Sequence, residues 1–189
     1  IALLHVGKQQ SDLELKGNYM IGLDVGTSRL LSAMRYDDGT NKNALSIKAQ
    51  RNAFIELDAN ETTLRALKRQ KVNYVIIGKK VYIVGDNAYD FGNVFPHQEL
   101  KRPMANGTLS IEPSALPVLK ELIGALIGTS TNNSICAYSV PAVPVDIHKL
   151  VQYHSDVIES IVSSYGYKPL QINEGVAVAN IGLEQHDMT

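Results

Sequence analysis

Tyr19-Met20-Ile21-Gly22-Leu23-Asp24-Val25-Gly26-Thr27-Ser28-Arg29-Leu30-Leu31-Ser32 is the stretch on which the reading of this chain turns. Residues 19–25 are apolar apart from Gly22 and Asp24, which predicts a buried strand ending in a carboxylate. Gly26-Thr27-Ser28 then turns the chain at once into a second apolar run, Leu30 to Tyr36. A strand that ends in Asp and turns through Gly-Thr-Ser suits a phosphate loop. Gly26 lets the backbone approach an anion, and the N–H groups of Thr27, Ser28 and Arg29 can point at it. Asp24 can face a hydrated divalent cation bridging the same phosphates. The same residues also suit a plain β-hairpin whose Asp and Thr satisfy the turn backbone, and by themselves they leave both readings open.

Working outward, Asp37-Asp38-Gly39-Thr40-Asn41 supplies hairpin chemistry after the second strand. Ala44 to Leu57 alternates and predicts a third strand, so the first three form an antiparallel meander. Glu61 to Gln70 reads as a short helix with Leu64 and Leu67 on one face. Val72–Ile77 and Lys80–Val84 read as strands joined at Gly78, Asp86–Phe91 as a helical turn, and 96–103 as irregular. Thr108–Ile111 suggests a short strand, and Ser114–Ile127 a helix with Pro117 in its first turn. After that the chain alternates: strand Ile135–Val140, a long helix N-capped by Asp146 and ended by Gly166, strand Pro169–Ile172, helix Glu174–Leu183. Alternating strand and helix favours parallel pairing, so the fold class expected is α/β.

Composition excludes several classes. The 18 Lys+Arg and 19 Asp+Glu give a net charge of −1, so no basic excess exists to neutralise nucleic-acid phosphates. Hydrophobic residues at 44% are too many for a disordered chain. No apolar run approaches the roughly 18 residues of a membrane helix, and Ile1-Ala2-Leu3-Leu4 is too short for a secretory signal. Cys136 is the sole cysteine, which fits a reducing, cytoplasmic setting and a small core residue. His148 and His154 are six apart and do not share a helix face at metal spacing, and His5, His97 and His186 lack partners at ligand spacing. Residues 1–18 read as a leader, and 185–189 as a cut end of a longer protein.

Four stretches together carry a family resemblance. Asp24-Val25-Gly26-Thr27-Ser28 resembles the first phosphate motif of the actin-like ATPase superfamily, which includes actin, the heat-shock chaperone ATPases, sugar and acetate kinases and the bacterial actin homologues. Val84-Gly85-Asp86-Asn87-Ala88 and Lys101-Arg102-Pro103-Met104-Ala105-Asn106-Gly107 resemble motifs of the chaperone and bacterial-actin branches. Ser139-Val140-Pro141-Ala142, followed after a long helix by Ile172-Asn173-Glu174-Gly175-Val176-Ala177, resembles the first connecting segment. The resemblance covers about residues 19–184.

It implies a ribonuclease-H-like mixed sheet formed by residues 19–57 and 105–184, with a small inserted subdomain over 58–104. It implies ATP and Mg²⁺ as ligands, Asp24 holding metal-bound water and Glu174 orienting the attacking water. Gly26, Thr27, Ser28 and Arg29 would bind phosphate, with Lys101 or Arg102 nearby. From their own residues alone, Glu174 reads first as a helix-start carboxylate favoured by the helix dipole, and Lys101 as a solvated surface lysine. Gly175 stands where the chaperone pattern has Pro, and Arg29 where many relatives carry Asn or Tyr. The family's second lobe, with its own phosphate loop and adenosine motif, has no counterpart after Leu183. The chain thus resembles the N-terminal lobe of an ATPase whose nucleotide state controls assembly or partner binding, with filament formation a possible outcome, and the fragment alone is expected to turn over little. Two other functions fit the superfamily. One is a small-molecule kinase, disfavoured by the second and third motifs and by the lack of Trp. The other is a nucleotide-sensing scaffold with little hydrolysis.

Overall fold

The computed structural model describes residues 3–5, 20–36, 40, 44–94, 97–140 and 148–175. In chain order the elements are β1 (Leu3–His5), β2 (Met20–Val25), β3 (Arg29–Tyr36), β4 (Ala44–Arg51), β5 (Phe54–Asp58), α1 (Glu61–Arg69), β6 (Tyr74–Ile77), β7 (Lys80–Val84), α2 (Asp86–Val94), β8 (Met104–Ala105), β9 (Thr108–Leu109), α3 (Ala115–Ile127), β10 (Ile135–Val140), α4 (His148–Ser164) and β11 (Lys168–Asn173). They fall into two units. One holds β1, residues 26–30 and residues 49–125; the other holds β2, residues 31–48 and the chain from 126 onward.

The first unit is built on a four-stranded sheet ordered β1-β6-β7-β5. Tyr74-Val75-Ile76-Ile77 and Lys80-Val81-Tyr82-Ile83-Val84 are rich in β-branched and aromatic residues, and they pair antiparallel from Tyr74↔Ile83 to Ile77↔Lys80. Within the stretch read as a leader, Leu3–His5 pairs antiparallel with β6 along its open edge, from Leu3↔Ile76 to His5↔Tyr74. Helix α1 starts where Asn60 Oδ1 accepts the Thr63 N–H at 2.8 Å, with Glu61 in its first turn and Lys68 and Arg69 in its last, as cap and dipole rules require. Its Leu67 packs with Ile55, Val72, Tyr74, Val81, Ile83 and Ala88 into one buried cluster.

The expected third strand, Ala44 to Leu57, is corrected to two. β4 ends at Arg51, and β5, starting at Phe54, belongs to the other sheet. The break has a hydrogen-bonding cause. The Asn52 N–H donates to the Ser28 carbonyl at 3.0 Å, whereas Phe54 exchanges both backbone bonds with Lys101 (2.8 and 2.9 Å) and the Ala53 carbonyl accepts from Gly85 N–H at 2.9 Å. Two residues thus separate two sets of ladder partners. The third motif forms a hairpin: Asn106 (φ 52°) and Gly107 (φ 77°) are both left-handed between Ala105 and Thr108, the two-residue turn that matches strand twist.

The second unit carries the five-stranded sheet, ordered β11-β10-β2-β3-β4. β10 runs parallel to β2, from Ile135↔Met20 to Tyr138↔Leu23, and parallel to β11, from Ile135↔Lys168 to Val140↔Asn173. This is the mixed sheet with strand-helix crossovers that the resemblance implies. Ile21, Leu23 and Val25 alternate inward on β2, as do Cys136, Tyr138 and Val140 on β10. Helix α4 packs against β10 and β11 with Ile158, Ile161 and Val162 buried. Gly166 takes the expected positive φ of 82° at its end. Burial pushes the Cys136 thiol up to about 12, in keeping with an inert core residue. The predicted Asp146 cap, the helix from Glu174 beyond residue 175, and the end at 185–189 lie outside the described residues. Among those described, no helix is long and apolar enough to cross a membrane.

His154 is the odd member of this interior. It is 1% exposed, and neither ring nitrogen has a hydrogen-bond partner among the described residues. Burial lowers its pKa from the ordinary 6.5. Above that value the ring is neutral in both folded and unfolded chains. Below it, the unfolded chain binds a proton that the folded one resists, so stability falls as pH falls. Urea denaturation between pH 7.5 and 5 is expected to show a lower midpoint at each acid step, and His154→Leu to flatten that slope.

Candidate functional site

Asp24 is the next-to-last residue of β2, half-buried, on the face opposite Leu23 and Val25. The parallel register sets Leu23 beside Tyr138, so Asp24 is level with Ser139. The Ser139 hydroxyl donates to Asp24 Oδ1 at 2.6 Å, a short charge-assisted bond that fixes the carboxylate's orientation. On the far side of β10, Ser139 pairs with Ile172 and Val140 with Asn173. Glu174 follows immediately, exposed, at the end of β11. Asp24 and Glu174 therefore stand at the carboxyl ends of parallel strands two ladder steps apart, about 10 Å at the usual strand spacing. Ligands of open α/β sheets bind at this edge. Asn173 Oδ1 accepts the Gly175 N–H at 2.9 Å, the contact of an N-cap, so the chain enters a helical turn here without the family's Pro.

The turn after β2 is closed by the Gly26 N–H donating to the Arg29 carbonyl at 3.0 Å. Gly26 is required here by close approach: a Cβ would sit 2.8 Å from the Arg29 oxygen. Neither Thr27 nor Ser28 is left-handed, so the loop is not a nest of alternating right- and left-handed residues. Its polarity arises another way. The carbonyls of Thr27, Ser28 and Arg29 are all engaged, by Asn52 Nδ2 (2.9 Å), Asn52 N–H (3.0 Å) and Gly26 N–H. Among the described residues, nothing accepts from the N–H of Thr27 or Ser28. Thr27 is half-buried, and Ser28 and Arg29 are exposed. A turn that engages its carbonyls and leaves amide donors to solvent suits an anion.

Lys101 meets a carboxylate of its own unit. Its ammonium lies 2.9 Å from Glu112 Oε2, and that hydrogen bond pushes its pKa up. The second motif is occupied with scaffolding. Gly85 adopts φ 68° against the Gln50 side chain, Asn87 Oδ1 accepts the Asn73 N–H at 2.9 Å, Ala88 is fully buried, and Asp86 faces Arg51 at 3.6 Å. Among the described residues, no three His, Cys, Asp or Glu side chains gather as a metal cage. A single oriented carboxylate suits Mg²⁺, which keeps most of its waters and takes phosphate oxygens. Sequence reasoning missed Ser139 as the partner of Asp24 and missed Asn52 altogether. Asn52 left no trace in the alternation of 44–57, where it falls in phase with the polar positions Ser46, Lys48 and Gln50.

A family model described as Volactin matches residues 19–189. Among solved structures, a MamK double helical filament aligns with TM-score 0.55 at 15% identity, covering 84% of this chain and 41% of that one. A non-polymerising MamK mutant bound to AMPPNP aligns with TM-score 0.51 at 17% identity, covering 85% and 42%. At such identities the likeness is one of fold, and the fold is the actin-like one. The chain spans about two fifths of the length of these structures. No curated protein matches.

Gly26→Ala is expected to cost about 1–3 kcal/mol, since backbone must move to admit the methyl group. The check is a urea denaturation series against the wild type.

Proposed function

We propose that this chain, which belongs to the Volactin family, is the phosphate-binding lobe of an actin-like ATPase whose nucleotide state governs its assembly. The observation that carries the reading is the turn of residues 26–29, in which the carbonyls of Thr27, Ser28 and Arg29 are engaged and, among the described residues, the amides of Thr27 and Ser28 are not, directly after the oriented carboxylate of Asp24. The AMPPNP bound to the MamK mutant gives the ligand class to be tried first.

In this reading the amides of Thr27, Ser28 and Arg29 take the phosphate oxygens, and Asp24 is the residue that would hold Mg²⁺. When bound, the ion would offset phosphate charge as a bond to phosphorus breaks. Glu174, exposed at the same strand edge, orients the attacking water. Ser139 keeps Asp24 in one rotamer, so that its charge is aimed before the ligand arrives. Lys101 would contribute to phosphate binding only by leaving Glu112, which makes it the weakest member of the set. Self-association is the associated output, with residues 58–104 as a surface offered for it. A MamK filament with this fold supports that direction.

In the full-length protein, Asp24→Ala is expected to abolish Mg²⁺-dependent phosphate release while leaving the circular dichroism spectrum unchanged. Glu174→Gln should lower kcat about a hundredfold or more with ATP affinity retained, the pattern of a group acting in the transition state. Light scattering should rise on adding ATP to the wild type. Wild-type phosphate release in Asp24→Ala would refute the assignment.

A further inference from the structure

Asn52 is 1% exposed, at the two-residue break between β4 and β5. A buried primary amide at a strand break is costly unless every polar atom is satisfied. Here every one is. Nδ2 donates to the Thr27 carbonyl and to the Met104 carbonyl, both at 2.9 Å. Oδ1 accepts the Met104 N–H at 3.2 Å, and the backbone N–H donates to the Ser28 carbonyl at 3.0 Å. One residue thus joins the turn at 27–28 to the start of the hairpin in the Arg-Pro-Met-Ala-Asn-Gly stretch.

The consequence follows from peptide geometry. Each peptide unit is planar and trans, so its C=O and the next residue's N–H point in opposite directions. Holding the Thr27 carbonyl toward Asn52 turns the Ser28 N–H away from it. Holding the Ser28 carbonyl toward Asn52 turns the Arg29 N–H away likewise. No left-handed residue is present to shape this loop, so the orientation of these two amides is set from outside it.

We infer that Asn52 is a positioning residue that aims the N–H groups of Ser28 and Arg29 at a bound phosphate. The inference rests on the nucleotide reading above and adds a residue that no motif contains. Asn52 does not touch the ligand; it acts through the loop. Aspartate in its place would keep the acceptor for Met104 N–H but set an oxygen against the carbonyls of Thr27 and Met104. Alanine would remove every side-chain bond.

The test measures dissociation constants of MgATP and of adenosine for the full-length wild type, Asn52→Asp, Asn52→Ala and a control, Tyr167→Phe. The control removes a different buried hydrogen bond, from Tyr167 to the Ile127 carbonyl. All titrations are run below the melting temperature of each protein. Both Asn52 variants are expected to weaken MgATP about tenfold or more, the equivalent of one positioning bond, with adenosine affinity within about twofold. Tyr167→Phe should lower Tm and leave the ATP-to-adenosine ratio alone. An unchanged ratio in the Asn52 variants, or an equal shift in the control, overturns the inference while leaving the nucleotide reading standing. A wild type that binds no nucleotide overturns both. Should neither Asn52 variant fold, NMR on the wild type decides. The side-chain NH₂ of Asn52 is expected to stay protected from solvent exchange with and without MgATP, while the Ser28 and Arg29 amides shift on binding. Free exchange of that NH₂, or unmoved Ser28 and Arg29 amides, overturns it.

Discussion

The parallel docking of β10 against β2 is the constraint on which the second unit depends. Pairing Tyr138 with Leu23 places Ser139 beside Asp24, where its hydroxyl fixes the carboxylate at 2.6 Å. The same strand carries β11 on its other side, so that Glu174 emerges at the same edge as Asp24. Cys136, Tyr138 and Val140 of β10 are buried, and α4 packs on this strand, with Ser155 hydrogen-bonded to the Tyr138 hydroxyl. A one-residue slip of this register would move Ser139 off Asp24 and turn the buried set outward.

The first unit shows a different economy. Its apolar cluster is made by residues close in sequence, within 53–88, and needs little help from polar groups. The exception is Asn52, whose hydrogen bonds span 25 residues back to Thr27 and 52 forward to Met104. A fully satisfied buried amide adds little net stability, yet it tolerates only one arrangement of its partners. Such a group serves to hold backbone in place, which is what a binding turn of small residues needs.

The four motifs divide by this standard. Asp24 and Ser139 are joined by a hydrogen bond between adjacent parallel strands, and Glu174 stands at the same sheet edge, where chemistry is proposed. Val-Gly-Asp-Asn-Ala is spent on a left-handed turn, a side-chain cap and a buried Ala. The Lys-Arg-Pro-Met-Ala-Asn-Gly stretch forms a bridge to Phe54, a tight hairpin and the anchor for Asn52. A shared motif therefore marks a shared fold as readily as a shared ligand.

By itself the sequence determined the elements with strong local signals: β2 and β3 around Gly-Thr-Ser, α1 with Leu64 and Leu67 on one face, the hairpin at Gly78, α3, β10 and β11, and from their order the mixed α/β sheet. Alternation, capping and turn chemistry act within a few residues, so they can be read from a single chain. The division of 44–57 into two strands, the Glu112 partner of Lys101, the Ser139 bond to Asp24 and the role of Asn52 were decided only in three dimensions. Each depends on which backbone or side chain arrives from elsewhere, in one case 115 residues away, and no periodicity encodes such an arrival. Even Gly26, legible as a turn residue, owes its necessity to the Arg29 oxygen that the folded hairpin brings within 2.8 Å of the Cβ it lacks.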